Sequence, residues 1–191
     1  MDDPVIIKAI STSVAQYVTV QVFAKALRSL VVEELTPKLE HPGRKVSETP
    51  PFPFSRPTFE AKKTAFNLAA TDNQFEQDFA KFLEGASDVQ SFAKLPSQFR
   101  FVIEYTDSAN NLRYYEPDFV AVLSDGSHRL IETKGLEDVD VVHKDRAATI
   151  WCENATLLTE TPWTYLKVMQ KEYAKLHASE FGELAVAFSS T

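Results

Sequence analysis

Two short segments of this chain carry acids and a lysine at spacings suited to phosphodiester chemistry. One is Tyr115-Glu116-Pro117-Asp118-Phe119-Val120 and the other is Leu130-Ile131-Glu132-Thr133-Lys134-Gly135. Both read as strands, joined by a hairpin at Asp125-Gly126, a dipeptide that suits tight turns. Asp118 and Glu132 can then lie side by side on neighbouring strands. Residues two apart on a strand face the same way, so Glu132 and Lys134 share a face and Thr133 takes the other. The neighbours Phe119, Val120, Val122, Leu130 and Ile131 are apolar, a setting in which an acid pair is not there for solvation. Two carboxylates a few Å apart repel unless a cation sits between them or one is protonated. A hard divalent ion such as Mg²⁺ accepts this arrangement and keeps waters for chemistry. A lysine beside it can hold or deprotonate an attacking water and offset charge on a phosphate. Asp, thirteen residues, Glu, one residue, Lys is therefore the pattern of a metal-dependent phosphodiesterase site.

The surrounding sequence predicts the elements that would position these groups. Asp72 or Asn73 can cap a helix with Glu76 in its first turn, an apolar stripe of Phe75, Phe79, Phe82 and Leu83, and an end at Gly85. A short strand is expected over Val89–Leu95. Phe99 to Tyr105 alternates as a further strand. After a polar turn from Asp107 to Asn111, Leu112–Leu123 reads as a long strand interrupted at Pro117. His128–Lys134 is the next strand. A helix fits Val142–Asn154, with Ala147, Ala148, Ile150 and Trp151 among its buried candidates. Trp163–Met169 alternates again as a strand, and Gln170–His177 reads as a closing helix. The order is helix, three antiparallel strands, helix, strand, helix: an α/β sandwich with helices against a mixed sheet. Residues 5–35 carry apolar positions at mostly helical spacing, read as one helix or two ending before Pro37. The Pro-rich stretch from Pro42 to Pro57 lacks backbone donors and reads as a semi-rigid connector. The expected division is 1–71, a helical and Pro-rich connector segment, and 72–191, the domain that carries the chemistry.

Composition narrows the classes of function. Of 191 residues, 44% are hydrophobic and 12% aromatic, enough to offset much of the ordering entropy of a core. The single cysteine, Cys152, excludes a disulfide scaffold. No run of about 18 or more apolar residues exists, so no membrane span is expected. The acidic start, Asp2-Asp3, is unlike a secretory signal, and a reducing cytoplasm is the expected compartment. Neither a GxxxxGK loop nor GxGxxG occurs. Residues 1–71 carry 9 Lys/Arg and 7 Asp/Glu, and residues 72–191 carry 11 and 20, for a net charge of -7. A domain of that sign does not attract a polyanion by its overall field.

Pro117-Asp118 followed by Glu132-Thr133-Lys134 resembles the PD-(D/E)XK nuclease superfamily, whose core has the same helix, three strands, helix, strand order. Glu76-Gln77-Asp78-Phe79-Ala80, Tyr115 to Phe119, Glu132 to Gly135, and Lys144 to Ala148 through Trp151-Cys152 are similar to the C-terminal endonuclease domain of type III restriction enzyme restriction subunits. The likeness covers roughly residues 46–170. It implies a restriction endonuclease-like α/β core that acts as a type III site-specific deoxyribonuclease, hydrolysing DNA to 5′-phosphate and 3′-hydroxyl ends. Asp118 and Glu132 would be Mg²⁺ ligands, with Mn²⁺ as a substitute, and the Thr133 carbonyl a further ligand. Lys134 would position the water and stabilise the transition state. Glu76 matches the acidic position that completes the metal site in that superfamily, with Asp78 its rival. Lys144 could contact DNA phosphate.

The same resemblance implies partners: double-stranded DNA, a helicase motor through which alone ATP would act, a DNA methyltransferase subunit, and a second copy for cutting both strands. The chain is then expected to be an excised C-terminal piece or a stand-alone remnant. Two other functions stay open: a non-catalytic nuclease-fold module for docking or dimerisation of a helicase, and a repair or resolvase-type nuclease of the same superfamily. Other residues receive plain readings. His128 and His143 lack partners at metal spacing and are expected on the surface. Cys152 beside Trp151 is expected to be a buried thiol. Glu137, Asp138 and Asp140 read as a solvated loop, and Pro50–Pro53 as connector.

Overall fold

A computed structural model describes residues 3–31, 36–39, 43–109, 111–135 and 141–189. Pro42, Glu137, Asp138 and Asp140, and the end of the N-terminal helical stretch before Pro37, lie outside the described residues. The chain divides into two units: Met1–Thr36 with Thr106–Arg113, and Pro37–Tyr105 with Tyr114–Thr191.

In the first unit the N-terminal segment forms two helices, α1 (Pro4–Ile10) and α2 (Ser13–Val31). Asp3 caps α1 by accepting from the Val5 N–H at 2.8 Å, and Pro4 sits at the helix start, where its missing N–H costs nothing. Helix α2 exposes Val14, Tyr17, Val18 and Phe23. The polar turn of this unit is built on Asp107, whose carboxylate accepts from Asn111, Ala109 and Arg113. Those bonds, the Asn111 pair foremost, hold its carboxyl well below the usual carboxylate range.

The second unit is built on a four-stranded sheet in the order β3-β6-β7-β8, with β3 Val89–Lys94, β6 Phe119–Leu123, β7 His128–Lys134 and β8 Trp163–Met169. Strand β6 is antiparallel to both β3 and β7, and β8 runs parallel to β7. Two short strands, β1 (Thr58–Phe59) and β2 (Ala69–Ala70), form a separate pair, as do β4 (Ile103–Thr106) and β5 (Leu112–Tyr115). Helix α3 (Gln74–Gly85) follows β2, and α4 (Val141–Thr159) crosses between β7 and β8. The chain ends in a one-turn α5 (Gln170–Tyr173) and in α6 (Phe181–Ser189). This is a mixed α/β architecture of restriction endonuclease type, as the element order predicts.

The sheet alternates its side chains between two cores. Phe119, Ala121, Ile131, Leu166 and Val168 join Phe79 and Leu83 of α3 in one cluster, to which Phe181 and Leu184 of α6 also belong. Leu130, with Tyr115 and Ile103, packs against Ala148 and Cys152 of α4 in the other. At the centre of the first, Phe79 meets Phe119 with ring centroids 5.4 Å apart and Tyr173 at 5.8 Å.

Several expectations are corrected. The long strand Leu112–Leu123 is two strands in different sheets, because Pro117 fixes φ and removes a donor at the break. Of the Phe99–Tyr105 alternation only Ile103 onward is strand. Arg100 is left-handed, with φ of 57°, and ends a short 3-10 turn at Ser97–Phe99. Helix α4 runs past Asn154 to Thr159, and Thr156 and Thr159 satisfy their hydroxyls on the carbonyls four residues back. Ile150 on that helix is exposed rather than buried. The closing helix stops at Tyr173, and α6 was not anticipated.

Phe79 is fully buried, so Phe79→Ala should cost about 3–5 kcal/mol. Leu157→Ala, at an 80%-exposed site on α4, should change stability by less than about 0.5 kcal/mol. Urea denaturation of the two variants against wild type checks both.

Candidate active site

Asp118 is the last residue before β6, and the β6–β7 register pairs Phe119 with Ile131, so Glu132 is the next residue along on β7. The expected adjacency is met through the backbone as well. Asp118 Oδ2 accepts from the Thr133 N–H at 2.8 Å and from Thr133 Oγ1 at 2.7 Å. Thr133 lies between Glu132 and Lys134, so this carboxylate is locked to the Glu-Thr-Lys segment itself.

The other oxygen of Asp118 faces a lysine that lies outside the acid–acid–lysine motif. Lys94, the last residue of β3, places its Nζ 2.8 Å from Asp118 Oδ1 and 3.1 Å from Glu76 Oε2, with Asp72 Oδ2 at 3.8 Å. The Lys94 side chain is only 5% exposed, against 6% for Glu76 and 17% for Asp118. Burial by itself would lower the ammonium's pKa; the charges of Asp118 and Glu76 outweigh it and leave it raised. One sequence signal was available. Lys94 ends a strand whose preceding Phe92 and Ala93 are buried, and a lysine there requires an acid within reach.

Glu76 lies in the first turn of α3, where Asn73 is the N-cap and its side chain accepts from the Glu76 N–H at 2.9 Å. Glu76 returns the contact: Oε1 accepts from Asn73 Nδ2 and Oε2 from the Asp72 N–H, both at 2.8 Å. Of the two rival acids on α3, Glu76 therefore points inward. Asp78 is half exposed and pairs with Lys81 at 3.5 Å. Burial lifts the Glu76 carboxyl above its ordinary value, despite the opposing pull of Lys94.

Glu132 and Lys134 face the α4 side of the sheet. They line a narrow cleft with Tyr115, Lys144, Asp145, Tyr165 and Lys167. Tyr115 donates its hydroxyl to Glu132 Oε2 at 2.9 Å, and Tyr165 donates to Asp145 Oδ1 at 2.7 Å. Burial raises both phenols, helped by Glu132 for Tyr115 and by Asp145 for Tyr165, so both remain donors at working pH. Burial pushes the Glu132 carboxyl up to about 7; the Asp118 charge adds to it, and Tyr115 and Lys134 oppose it. An acid shifted this way beside another acid is the usual mark of a functional cleft. Lys144, in the fourth position of α4, lines this cleft.

The remaining candidates take structural positions. Among the described residues no three His, Cys, Asp or Glu side chains form a metal-holding cluster. His128 and His143 are half-buried at the surface, and the His128 ring lies 4.6 Å from that of Trp163. Cys152 is buried, and that burial pushes its thiol up to about 12, which makes it inert. No helix among the described residues is long and apolar enough to cross a membrane.

An antiparallel three-stranded core with a parallel fourth strand, carrying two acids and a lysine at one end, defines a restriction endonuclease-like domain. The family model described as "Endonuclease domain" matches residues 62–174, more than half of the chain, and the chain belongs to that family. The matched span contains Glu76, Lys94, Asp118, Glu132, Lys134, Lys144 and Lys167. No curated protein and no solved structure matches the chain.

Two outcomes follow from these electrostatics. Lys94→Met leaves Glu76 and Asp118 buried without their cation and should cost about 3–5 kcal/mol, part of it recovered in Lys94→Met/Glu76→Gln, as read by chemical denaturation. Glu132 holds its proton more tightly folded than unfolded, so its contribution to stability is complete below about 4.5 and is lost as pH rises through about 7. Glu132→Gln should therefore gain thermal stability relative to wild type between pH 5 and pH 8, and a constant difference across that range would contradict the shift.

Proposed function

We propose that this endonuclease domain is a Mg²⁺-dependent DNA endonuclease of type III restriction character, cutting duplex DNA delivered by a helicase motor and a methyltransferase subunit. The observation that carries the reading is the convergence of Asp118, Glu132 and Lys134, fixed by the Asp118–Thr133 hydrogen bonds, within the family-matched span. Family membership supports nuclease activity. The type III assignment rests on the resemblance of the segments around Glu76, Asp118, Glu132 and Lys144 to that enzyme class.

The donor set fits a hard divalent ion on the α4 side of Asp118. Asp118 and Glu132 offer oxygen donors only, and burial together with the nearby Asp118 charge raises the Glu132 carboxyl. On the α3 side the cation position is filled by Lys94, which already spans Glu76 and Asp118. Asp118, Glu132 and the Thr133 carbonyl would hold Mg²⁺, or Mn²⁺ in its place, and Glu76 would join only by exchanging Lys94. When bound, the ion supplies Lewis acidity and lowers the pKa of a coordinated water.

The chain's own groups account for the remaining steps. Lys134 shares the face of Glu132, so its ammonium can donate to the attacking water and to a non-bridging phosphate oxygen as charge grows there. The water oxygen attacks phosphorus, the bond to the 3′-oxygen breaks, and the leaving oxygen takes up a proton. Tyr115 holds Glu132 Oε2, which limits the rotamers of that carboxylate. Lys144 adds positive charge at the mouth of the cleft. Because the domain is acidic overall, the reading assigns most DNA affinity to partners rather than to this unit.

The test is calorimetric titration of Mn²⁺ into wild type and Asp118→Ala/Glu132→Ala, paired with cleavage of supercoiled plasmid. Saturable binding and cutting should both vanish in the double variant. Lys134→Ala should lower cutting by at least ~100-fold while Mn²⁺ still binds. Cleavage that persists in purified Asp118→Ala would sink the assignment. Metal-free, inactive wild type, alone and with duplex DNA added, would favour a docking module.

A further inference from the structure

The cleft on the α4 side holds more positive charge than the hydrolytic step described above uses. Residues 72–191 have 11 Lys/Arg against 20 Asp/Glu, yet three of those cations, Lys134, Lys144 and Lys167, line one narrow cleft. Lys167 stands on β8 directly across from Glu132 in the parallel β7–β8 register. Its Nζ is 2.8 Å from Asp145 Oδ2, and the other oxygen of Asp145 accepts from the Tyr165 hydroxyl at 2.7 Å. Asp145 thus aims Lys167 from the neighbouring helix while Tyr165 fixes Asp145. The Lys167 side chain keeps 23% of its surface exposed, so the pair is open to solvent at the cleft. Glu132 and Asp145 line the same cleft, so its formal balance is one positive charge within a domain that is acidic overall.

We infer that Lys144 and Lys167 form a phosphate subsite beside the cleavage centre, taking a backbone phosphate next to the one that is cut. The subsite rests on the DNA-cutting reading above and extends it to a residue on β8 that neither the motif nor the family match assigns. Lys134 serves the scissile phosphate. Lys144 from α4 and Lys167 from β8 set the register of the strand relative to Glu132. Holding Lys167 on Asp145 restricts its rotamers in advance, which reduces the ordering cost when a phosphate arrives. A contact of this kind positions DNA without reading its sequence.

The experiment is fluorescence anisotropy of a short labelled duplex against the full chain. The background is Glu132→Gln, which the proposed chemistry cannot use, with Mg²⁺ fixed and KCl varied. Each phosphate contact removed should reduce the slope of log K against log salt by about 0.9. Lys167→Met and Lys144→Met should each show that reduction, and Lys167→Arg should restore the slope. Lys175→Met, an exposed lysine outside the cleft, should leave it unchanged. Lys144→Met leaves the Lys167–Asp145 pair intact, so half of the subsite is tested independently of that pair's part in folding. If Lys167→Met and Lys144→Met shift affinity equally at every salt concentration, the subsite is overturned and the nuclease reading stands. If the background protein binds no duplex at any salt, the DNA substrate and the subsite fall together.

Discussion

The structure turns on how one carboxylate is held. Asp118 sits where the chain enters β6 after Pro117, and its two oxygens are taken by groups from the strands on either side of β6, Lys94 of β3 and Thr133 of β7. Lys94 holds one, next to Glu76 on the α3 side. The backbone of Thr133 holds the other, between the two residues that face α4. An aspartate free to rotate would form neither connection. With both made, the caps of α3, the end of β3 and the Glu-Thr-Lys segment of β7 share a single anchor. A charge so little exposed is costly to keep ionised without a partner, and Lys94 supplies the partner.

The second constraint is the distribution of charge. The unit is acidic, and acids are concentrated at the end of the sheet as well. Two different devices manage them. On the α3 side a buried lysine neutralises Glu76 and Asp118 within the protein. On the α4 side the Tyr115 hydroxyl holds Glu132, and burial, with the Asp118 charge added, raises its carboxyl against the pull of Tyr115, Lys134 and Lys94. The α3 side is thus compensated by a charge and the α4 side by a neutral hydroxyl. Tyr115 and Tyr165 act as fixed donors because burial keeps their protons in place, and they order Glu132 and Asp145 before any ligand arrives.

The fold was legible where periodicity and punctuation agree. Trp163–Met169 alternates cleanly and is β8 residue for residue; Asn73 caps the start of α3, and Gly85 is its last residue. Misreadings came from local signals overruled by longer-range structure. The alternation of Phe99 to Tyr105 suits a strand, but the left-handed Arg100 interrupts it. The apolar character of Phe181 and Leu184 carries no clear boundary signal, and only their burial against the sheet makes the last helix. Ile150 has the right type for a core and the wrong rotation on α4.

For the site, the sequence by itself determined the acid pair and its lysine. Strand parity and a two-strand hairpin leave Asp118, Glu132 and Lys134 few other places to go. It did not separate Glu76 from Asp78, because two residues apart on a short helix tests only orientation, and orientation is set by packing of Phe75, Phe79 and Leu83. It named no partner for Lys94 and was silent on Lys167. Both reach the acids across strands distant in sequence: Lys94 through the β3–β6 pairing and Lys167 through the parallel β7–β8 pairing. Parallel and crossover neighbours are fixed by how helices cover the sheet, and no local spacing encodes that choice. The chemistry was written in short motifs, and the charges that hold and surround it were decided by tertiary structure.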